Sequence, residues 1–216
     1  MAVGLELTRE RMNYGGHVRE DVIAHLHDPG AVLDVGCGEG ANADALRARG
    51  ATRLTGLELD EGFAAQASER YDEVVNASVD DEFPWEPGSF DTILCYDVLE
   101  HLYDPWSTVK RLRPLLRESG QIHISLPNAR SKEMWAPLVL KGRFQYEPEG
   151  IRDVTHIRWF TKTDVTEMLS EAGYEVESVV GSPIDSRKMR LAIALTRGWA
   201  EEFLAYQWYV SARARP

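Results

Sequence analysis

VLDVGCGEG, residues 32–40, decides the fold: an apolar run ends on an acid and then breaks into three glycines within five positions. Apolar runs of strand length alternate with helix-like stretches along much of the chain, which is typical of βαβ units around a parallel sheet. In such a sheet, ligands bind outside the carboxyl ends of the strands. The stretch therefore predicts an α/β fold with a ligand site on its glycine loop.

The surrounding pattern predicts a Rossmann-like sheet of seven strands, mostly parallel, with helices on both faces. The last strand is expected to be antiparallel, at an edge or in a hairpin, because its residues alternate in polarity. Predicted strands are 31–36, 52–59, 72–79, 90–102 (passing into a turn of helix), 121–127, 174–181 and 205–213, and predicted helices are 41–50, 60–70, 105–119 and 161–173.

Two further segments complete a single domain, 1–216. Residues 1–28 are predicted to be a helical segment that packs across the sheet end or the cofactor mouth. Residues 128–161 lack a clean period and are rich in aromatic side chains and arginine, so they are predicted to be a lid insertion over the substrate.

Composition and net charge limit the classes of function that the chain can have. With 44% hydrophobic and 27% charged residues the chain reads as globular, and its net charge of −11 opposes binding to nucleic acid. No apolar run reaches the roughly 18–20 residues of a membrane span, and no secretory signal is recognised, which favours a cytoplasmic protein with a small-molecule partner. Cys37 and Cys95 are predicted to be buried fillers, since they have neither disulfide density nor metal-ligand spacing.

Asp34, the acid in the first stretch, helps to distinguish between two possible ligands of the glycine loop. Gly36, Gly38 and Ala41, with Glu58 further on, fit a dinucleotide fingerprint as well as other nucleotide loops. A carboxylate at Asp34, however, would oppose binding of a pyrophosphate. The same carboxylate suits S-adenosylmethionine, which carries an ammonium and a sulfonium and no phosphate.

Three linked motifs carry a family resemblance. VLDVGCGEG, GLELD at 56–60 and FPWEPGSFDTILCYDVLEHLYDP at 83–105 together resemble the class I S-adenosylmethionine-dependent methyltransferases, over about residues 30–127. The segments at 125–135, 141–147 and 153–161 more loosely resemble small-molecule and sugar-pathway methyltransferases and methionine-biosynthesis W-type proteins.

The resemblance implies a set of cofactor contacts. Those implied are Asp34, Gly36, Cys37 and Gly38 at the methionine end, Glu58 on the ribose hydroxyls, Leu59, Ser78 and Val79 at the adenine, Cys95 and Tyr96 beneath the methionine moiety, and Tyr14 closing over the cofactor. Asp80 is the alternative adenine contact if the register slips.

Methyl transfer from a sulfonium is an in-line displacement, so a base is needed only for a hydroxyl or a protonated amine. Glu100 and His101 follow strand four, and His101 is the first candidate base because imidazole titrates near neutrality. His156 in the lid is the second. O-methylation is slightly favoured over N-methylation, and no metal is expected.

The lid also holds candidate substrate contacts. Arg130, Arg152 and Arg158, with His156 and Trp159, suggest an anionic acceptor such as a carboxylate or a nucleotide sugar. The alternative is that the arginines are solvated, that Trp159 belongs to the core and that His156 is a structural hydrogen-bonder that docks the lid. Two rival functions remain open: a non-catalytic or regulatory homologue that acts through a partner enzyme, and a nicotinamide-dependent oxidoreductase. Asp34 and the absence of a Y-x-x-x-K pair oppose the oxidoreductase. A homodimer formed through the aromatic C-terminal segment is a further option.

Overall fold

The computed structural model describes residues 18–184 and 186–215. Most predicted elements are present, with shorter helices than expected. The helices are α1 Glu20–Ile23, α2 Ala43–Ala48, α3 Glu61–Ala67, α4 Pro105–Leu112, α5 Lys132–Lys141, α6 Lys162–Glu171, α7 Arg187–Leu195 and α8 Glu201–Leu204. The strands are β1 Gly30–Val35, β2 Ala51–Glu58, β3 Glu73–Asn76, β4 Phe90–Tyr96, β5 Leu116–Pro127, β6 Tyr174–Gly181 and β7 Gln207–Ala214.

The strands form one seven-stranded sheet in the order β3-β2-β1-β4-β5-β7-β6. Only β7 runs antiparallel to its neighbours, so the predicted Rossmann-like fold class is confirmed. The chain builds outward from β1 through β2 to β3, and then returns to place β4 on the other side of β1. This reversal lies between the carboxyl ends of β1 and β4, which is where open α/β sheets bind ligands.

The prediction of an edge position for the last strand is wrong. β7 lies between β5 and β6 and pairs with both, so β6 forms the edge of the sheet. Trp208 is completely buried and Tyr209 nearly so, which an edge strand with one wet face would not require. The exposed positions of β6 are Glu175, Glu177, Ser178 and Val180.

Both faces of the sheet are covered. Alternate residues of a strand point to opposite faces, and adjacent β1 residues accordingly belong to different apolar clusters. Val32 packs in the cluster that includes Leu46 of α2, whereas Leu33 packs in the cluster that includes Leu112 of α4. None of the helices within 18–184 and 186–215 has the length and apolar character of a membrane span.

The helix boundaries follow local signals. Asp60 accepts hydrogen bonds from the backbone N–H groups of Gly62 and Phe63, as an N-cap should. α4 ends before Pro114, in a 3₁₀ turn at Arg113–Leu115. Thr161 and Asp164 form a reciprocal capping box at the start of α6.

Three helices were not predicted: α5, α7 and α8. α7 and α8 lie between β6 and β7, and α7 contains no fully buried residue. The lid insertion contains α5, followed by an irregular segment that runs to the start of α6. Of the predicted N-terminal segment, only residues from 18 onward are described, and they contain the single turn of α1.

Candidate cofactor and acceptor site

The glycine loop follows β1 at the reversal point. Gly36, Gly38 and Gly40 all have positive φ, at 71°, 55° and 78°, which side-chain-bearing residues rarely adopt. A Cβ on Gly36 would also lie 2.6 Å from the Val98 side chain, so this turn is closed to larger residues. The backbone N–H of Gly36 donates to Leu57 O at 2.7 Å, which holds the loop against the end of β2.

Glu58, the predicted ribose ligand, connects this loop to the next one. Its Oε2 accepts a hydrogen bond from Gly38 N, and its Oε1 accepts one from Asp60 N, both at 2.9 Å. A carboxylate oxygen has more than one lone pair, so each can accept a second bond. Glu58 therefore lies beside the glycine loop with acceptor capacity left for hydroxyl donors.

Asp34 is the second acid of this region, and it is buried in the β1 strand end. Its carboxylate accepts a hydrogen bond from Tyr71 Oη at 2.7 Å, and Asn42 supplies another. Burial raises the pKa of Asp34 to about 6, an effect that the two hydrogen bonds oppose and that Glu58 reinforces. Asp34 and Glu58 are thus two acids close together, and the groups that act on Asp34 include no cation among the described residues. This arrangement favours a ligand that carries positive charge.

The remaining predicted cofactor residues divide by exposure. Leu59 is 73% exposed, so its side chain is open to an adenine ring. Ser78 and Val79 lie in the loop after β3, where Ser78 N donates to Asp81 Oδ2 at 2.9 Å and Ser78 Oγ accepts from Asp80 N at 3.1 Å. Ser78, Val79 and Asp80 thus share one loop, and either adenine assignment is compatible with it. Tyr14 lies outside the described residues.

Cys37, Cys95 and Tyr96 point into the apolar interior. The Cys37 thiol packs so closely against Gly56 that a Cβ there would lie 2.5 Å from Sγ. Cys95 is completely buried, and burial raises the thiol pKa of both cysteines. Both are structural fillers, as predicted, and backbone atoms are what they can offer to a cofactor.

Asp97 was missed as a candidate, although it directly follows β4. It has a positive φ of 56°, an uncommon conformation for a residue with a side chain. Its carboxylate accepts hydrogen bonds from Ser125 Oγ at 2.8 Å and Gln207 Nε2 at 2.7 Å, and it pairs with Arg19. The signal was present in the sequence: an acid immediately after the strand that borders the predicted site.

The turn after β4 supports the lid. Glu100 and His101 lie in a 3₁₀ turn, Leu99–His101. The backbone O of Glu100 accepts hydrogen bonds from Ile157 N at 2.9 Å and Arg158 N at 3.1 Å. The irregular end of the lid is therefore fastened directly to the turn that carries the candidate base.

The two candidate bases, which are distant in sequence, lie side by side. The ring centroids of His101 and His156 are 4.8 Å apart, and His156 Nε2 is 3.9 Å from Glu100 Oε1. His101 Nδ1 lies 3.1 Å from Thr155 Oγ1. Burial lowers the pKa of both histidines, and the neighbouring His156 lowers that of His101 further, so both imidazoles are neutral near pH 7.

Arg130, Arg152 and Arg158 all make contacts within the chain, although Nε of Arg152 and Nε of Arg158 are buried with no hydrogen-bond partner among the described residues. Arg130 pairs with Glu202 and stacks 4.2 Å from the centre of the Phe203 ring. Arg152 donates to Glu133 O at 2.8 Å, and Arg158 donates through Nη2 to the backbone O of Tyr103 at 2.7 Å.

These contacts give the arginines a structural role in holding the lid. Trp159 likewise donates through Nε1 to Ile151 O at 2.7 Å. The assignment of these side chains as contacts to an anionic acceptor stays a prediction.

Comparison with known proteins agrees with this geometry. Residues 10–179 match a family model described as a methyltransferase domain. The chain belongs to this methyltransferase domain family. It is a domain of the S-adenosylmethionine-dependent type, so the cofactor predicted from Asp34 is confirmed and the nicotinamide alternative is set aside.

Individual relatives are more distant. The chain is 29% identical over 160 residues to a ubiquinone biosynthesis O-methyltransferase of Pseudomonas aeruginosa, covering 69% of this chain and 66% of that protein. It is 32% identical over 162 residues to a protein of Mycolicibacterium smegmatis named probable S-adenosylmethionine-dependent methyltransferase, covering 74% of this chain and 57% of that protein. The chain thus spans less than two thirds of the length of these relatives.

A solved structure extends the likeness of the fold. A SAM-dependent methyltransferase of Thermotoga maritima, described as a possible histamine N-methyltransferase, superposes with a TM-score of 0.66. It covers 91% of this chain and 87% of its own, at 17% sequence identity. At that identity the likeness establishes the fold and leaves the acceptor open.

Proposed function

We propose that the protein transfers a methyl group from S-adenosylmethionine to a hydroxyl of a small polar acceptor. The observation that carries the proposal is the placement of two acidic positions, Asp34 and Glu58, around a glycine loop, one strand away from the turn that brings His101 and His156 together. One side of the reversal point is suited to a cationic cofactor, and the other presents groups that can act on an acceptor proton.

The cofactor end of the site is assigned from charge. Asp34 would compensate the ammonium of the methionine moiety, and Glu58 would accept hydrogen bonds from the ribose hydroxyls while keeping the glycine loop in place. Leu59, exposed just beyond Glu58, offers an apolar surface to the adenine. When bound, the cofactor supplies an electrophilic methyl group on a sulfonium.

The acceptor end is assigned from proton chemistry. A hydroxyl oxygen must lose its proton as it forms a bond to the methyl carbon, whereas the C–S bond breaks and leaves a neutral thioether. His101 is the candidate base because Thr155 fixes its ring and because burial keeps it neutral. His156, 4.8 Å away between centroids, is the alternative base.

An oxygen acceptor is favoured over nitrogen for two reasons. A base beside the methyl position is needed for a hydroxyl and not for a neutral amine. The Pseudomonas aeruginosa relative is also named as an O-methyltransferase, although only part of its length is matched. A sugar, nucleotide-sugar or natural-product hydroxyl stays our prediction, as do the cytoplasmic location and the homodimer.

Transfer of an isotopically labelled methyl group tests the proposal. The protein is incubated with labelled S-adenosylmethionine and matched panels of hydroxyl and amine acceptors, and products are analysed by mass spectrometry. We expect label on oxygen, with turnover about 100-fold lower in His101→Ala, as loss of a general base implies. His27→Ala, an exposed histidine, is the matched control.

Three outcomes would contradict parts of the proposal. Label found only on amines would refute the oxygen acceptor. Loss of turnover in His156→Ala with normal turnover in His101→Ala would move the base to the lid. Tight cofactor binding without transfer to any acceptor would instead support the regulatory homologue.

A further inference from the structure

Glu100 is the most anomalous side chain in the described part of the protein. It is completely buried, and neither carboxylate oxygen has a hydrogen-bond partner among the described residues. Burying an ionised carboxylate without a partner costs several kcal/mol. A folded protein tolerates such a group when a ligand or a proton compensates it, so the surroundings of Glu100 decide which.

Two imidazoles face Glu100. One potential ligand atom from each of Glu100, His101 and His156 lies within 4.8 Å of the others. His156 Nε2 lies 3.9 Å from Glu100 Oε1. Oxygen and nitrogen atoms of three side chains therefore converge on one small, buried volume.

The hydrogen bonds behind the rings fix their tautomers. The Thr155 hydroxyl donates to Asp153 Oδ1 at 2.7 Å, so its oxygen accepts from His101 Nδ1 at 3.1 Å. The carbonyl of Ile151 can only accept from His156 Nδ1, at 3.3 Å. Each neutral imidazole thus carries its proton on Nδ1 and presents the Nε2 lone pair, with a carbonyl or hydroxyl behind it as metal-binding histidines usually have.

The charges around Glu100 also favour a bound cation. Asp97 and Asp153 both act electrostatically on Glu100 in the unfavourable sense, and the cation that offsets them, Arg19, is already paired with Asp97 and Asp21. Two lone pairs and a carboxylate repel one another in the absence of a positive group. The cluster therefore places a buried carboxylate, which has no hydrogen-bond partner among the described residues, next to two imidazoles.

We propose that Glu100, His101 and His156 bind a divalent first-row transition-metal ion, with at least one coordination position left for the acceptor hydroxyl. Two imidazole nitrogens and one carboxylate oxygen suit Zn²⁺ and its neighbours, whereas Mg²⁺ and Ca²⁺ prefer oxygen ligands. With bonds of about 2.0–2.1 Å, ligand atoms around a tetrahedral ion lie about 3.4 Å apart. Small side-chain rotations close the remaining distance.

The catalytic consequence rests on the proposed function. A cation at this position lowers the pKa of a coordinated hydroxyl, whose proton passes to water as the oxygen forms its bond to the methyl carbon and the C–S bond breaks. His101 then acts as a metal ligand, and the cation replaces it in making the hydroxyl acidic. This site revises the sequence-based expectation that no metal is involved.

Zn²⁺ binding to the cofactor-free protein tests the site without reference to activity. Titration against a chromogenic chelator should give one tight equivalent in the wild type. We expect binding at least ~100-fold weaker in Glu100→Gln and His156→Ala, since each removes a ligand, and unchanged binding in His27→Ala. Co²⁺ should give visible ligand-field absorption that the same two variants lose. Glu100→Gln preserves shape and tests the site even if His156→Ala does not fold.

Several results would overturn the site. A wild-type protein that binds no Zn²⁺ equivalent would do so, as would wild-type affinity in Glu100→Gln. The catalytic consequence fails separately if complete chelation leaves methyl transfer unchanged, in which case the proposed function stands with His101 as base. Tight Zn²⁺ binding without any methyl transfer would refute the proposed function and leave the metal site intact.

Discussion

At the residue scale, the buried carboxyl of Asp34 should lower the free energy of unfolding at neutral pH, where it is ionised, and in that form favour ligand binding. Its folded pKa of about 6 exceeds the unfolded value of about 3.9, so its contribution to stability is complete below pH 3.9 and is lost as pH rises through 6. Two pKa units correspond to roughly 3 kcal/mol. We expect cofactor-free Asp34→Asn to be ~1–3 kcal/mol more stable than wild type at pH 7.5, in urea unfolding, with a much smaller difference at pH 4.5. Equal stability at pH 7.5 would contradict this.

The same carboxyl should make cofactor affinity depend on pH. If the ammonium binds the ionised form, affinity falls about tenfold between pH 7.5 and pH 5, because only about a tenth of Asp34 is ionised at pH 5. Calorimetric titration with S-adenosylmethionine at the two pH values measures the effect. Asp34→Asn should bind ~10-fold or more weakly at pH 7.5, through loss of a charge-assisted bond, and should lose this pH dependence. Tyr206→Phe, which removes a hydroxyl that accepts a hydrogen bond from Ile151 N, serves as the control.

At the element scale, the lid and the turn after β4 should act as one unit through Thr155. The Thr155 hydroxyl joins His101 to Asp153, so Thr155→Val removes both bonds while preserving shape. We expect ~10–100-fold weaker Zn²⁺ binding, as for other groups that orient a metal ligand, with unchanged affinity for S-adenosylmethionine. Thr166→Val, which removes a half-buried hydroxyl that donates to Lys162 O within α6, is the matched control. Normal Zn²⁺ affinity in Thr155→Val would show that the ring needs no such support.

The same elements show how far sequence reasoning reaches. β1, β2 and β6 were predicted almost to the residue because their apolar runs are bounded by turn residues. The N-cap at Asp60, the first residue of the helix predicted over 60–70, is a local signal of the same kind. The interior position of β7 depends on pairing with two strands, which no local pattern encodes.

The candidate site divides in the same way. The glycine loop and Glu58 are local to two strand ends, so their sequence pattern predicted them. The convergence of Glu100, His101 and His156 arises from the docking of the lid, which sequence separation conceals. The sequence analysis also missed Thr155, which contacts His101 from the lid. It missed Tyr71 and Asn42, which bond to the Asp34 carboxylate, because no local pattern shows that they reach it.

At the scale of the whole molecule, the proposed cofactor-binding residues and the proposed acceptor-binding residues lie at the ends of different strands of the sheet. The cofactor acids lie at the carboxyl ends of β1 and β2, and most of the acceptor cluster follows β4, on either side of the reversal point. The chain carries a net charge of −11, so a cationic cofactor is attracted and a polyanion is repelled over the Debye length. Binding in this crevice should therefore couple strands from both halves of the sheet to one ligand.

That coupling predicts a ligand-specific rise in the unfolding temperature of the entire domain. A ligand at 100 times its dissociation constant stabilises a protein by about 2.7 kcal/mol, which is worth roughly 5–10 °C for a chain of this length. We expect S-adenosylmethionine to raise the midpoint of thermal unfolding by this amount and NAD⁺ to leave it unchanged. Glu58→Ala should lose ~2–4 kcal/mol of affinity and with it most of the shift, because it removes the ribose acceptor and the bonds to Gly38 and Asp60. A full shift in Glu58→Ala would mean that the ribose lies elsewhere, and a shift with NAD⁺ would mean that Asp34 does not exclude a pyrophosphate.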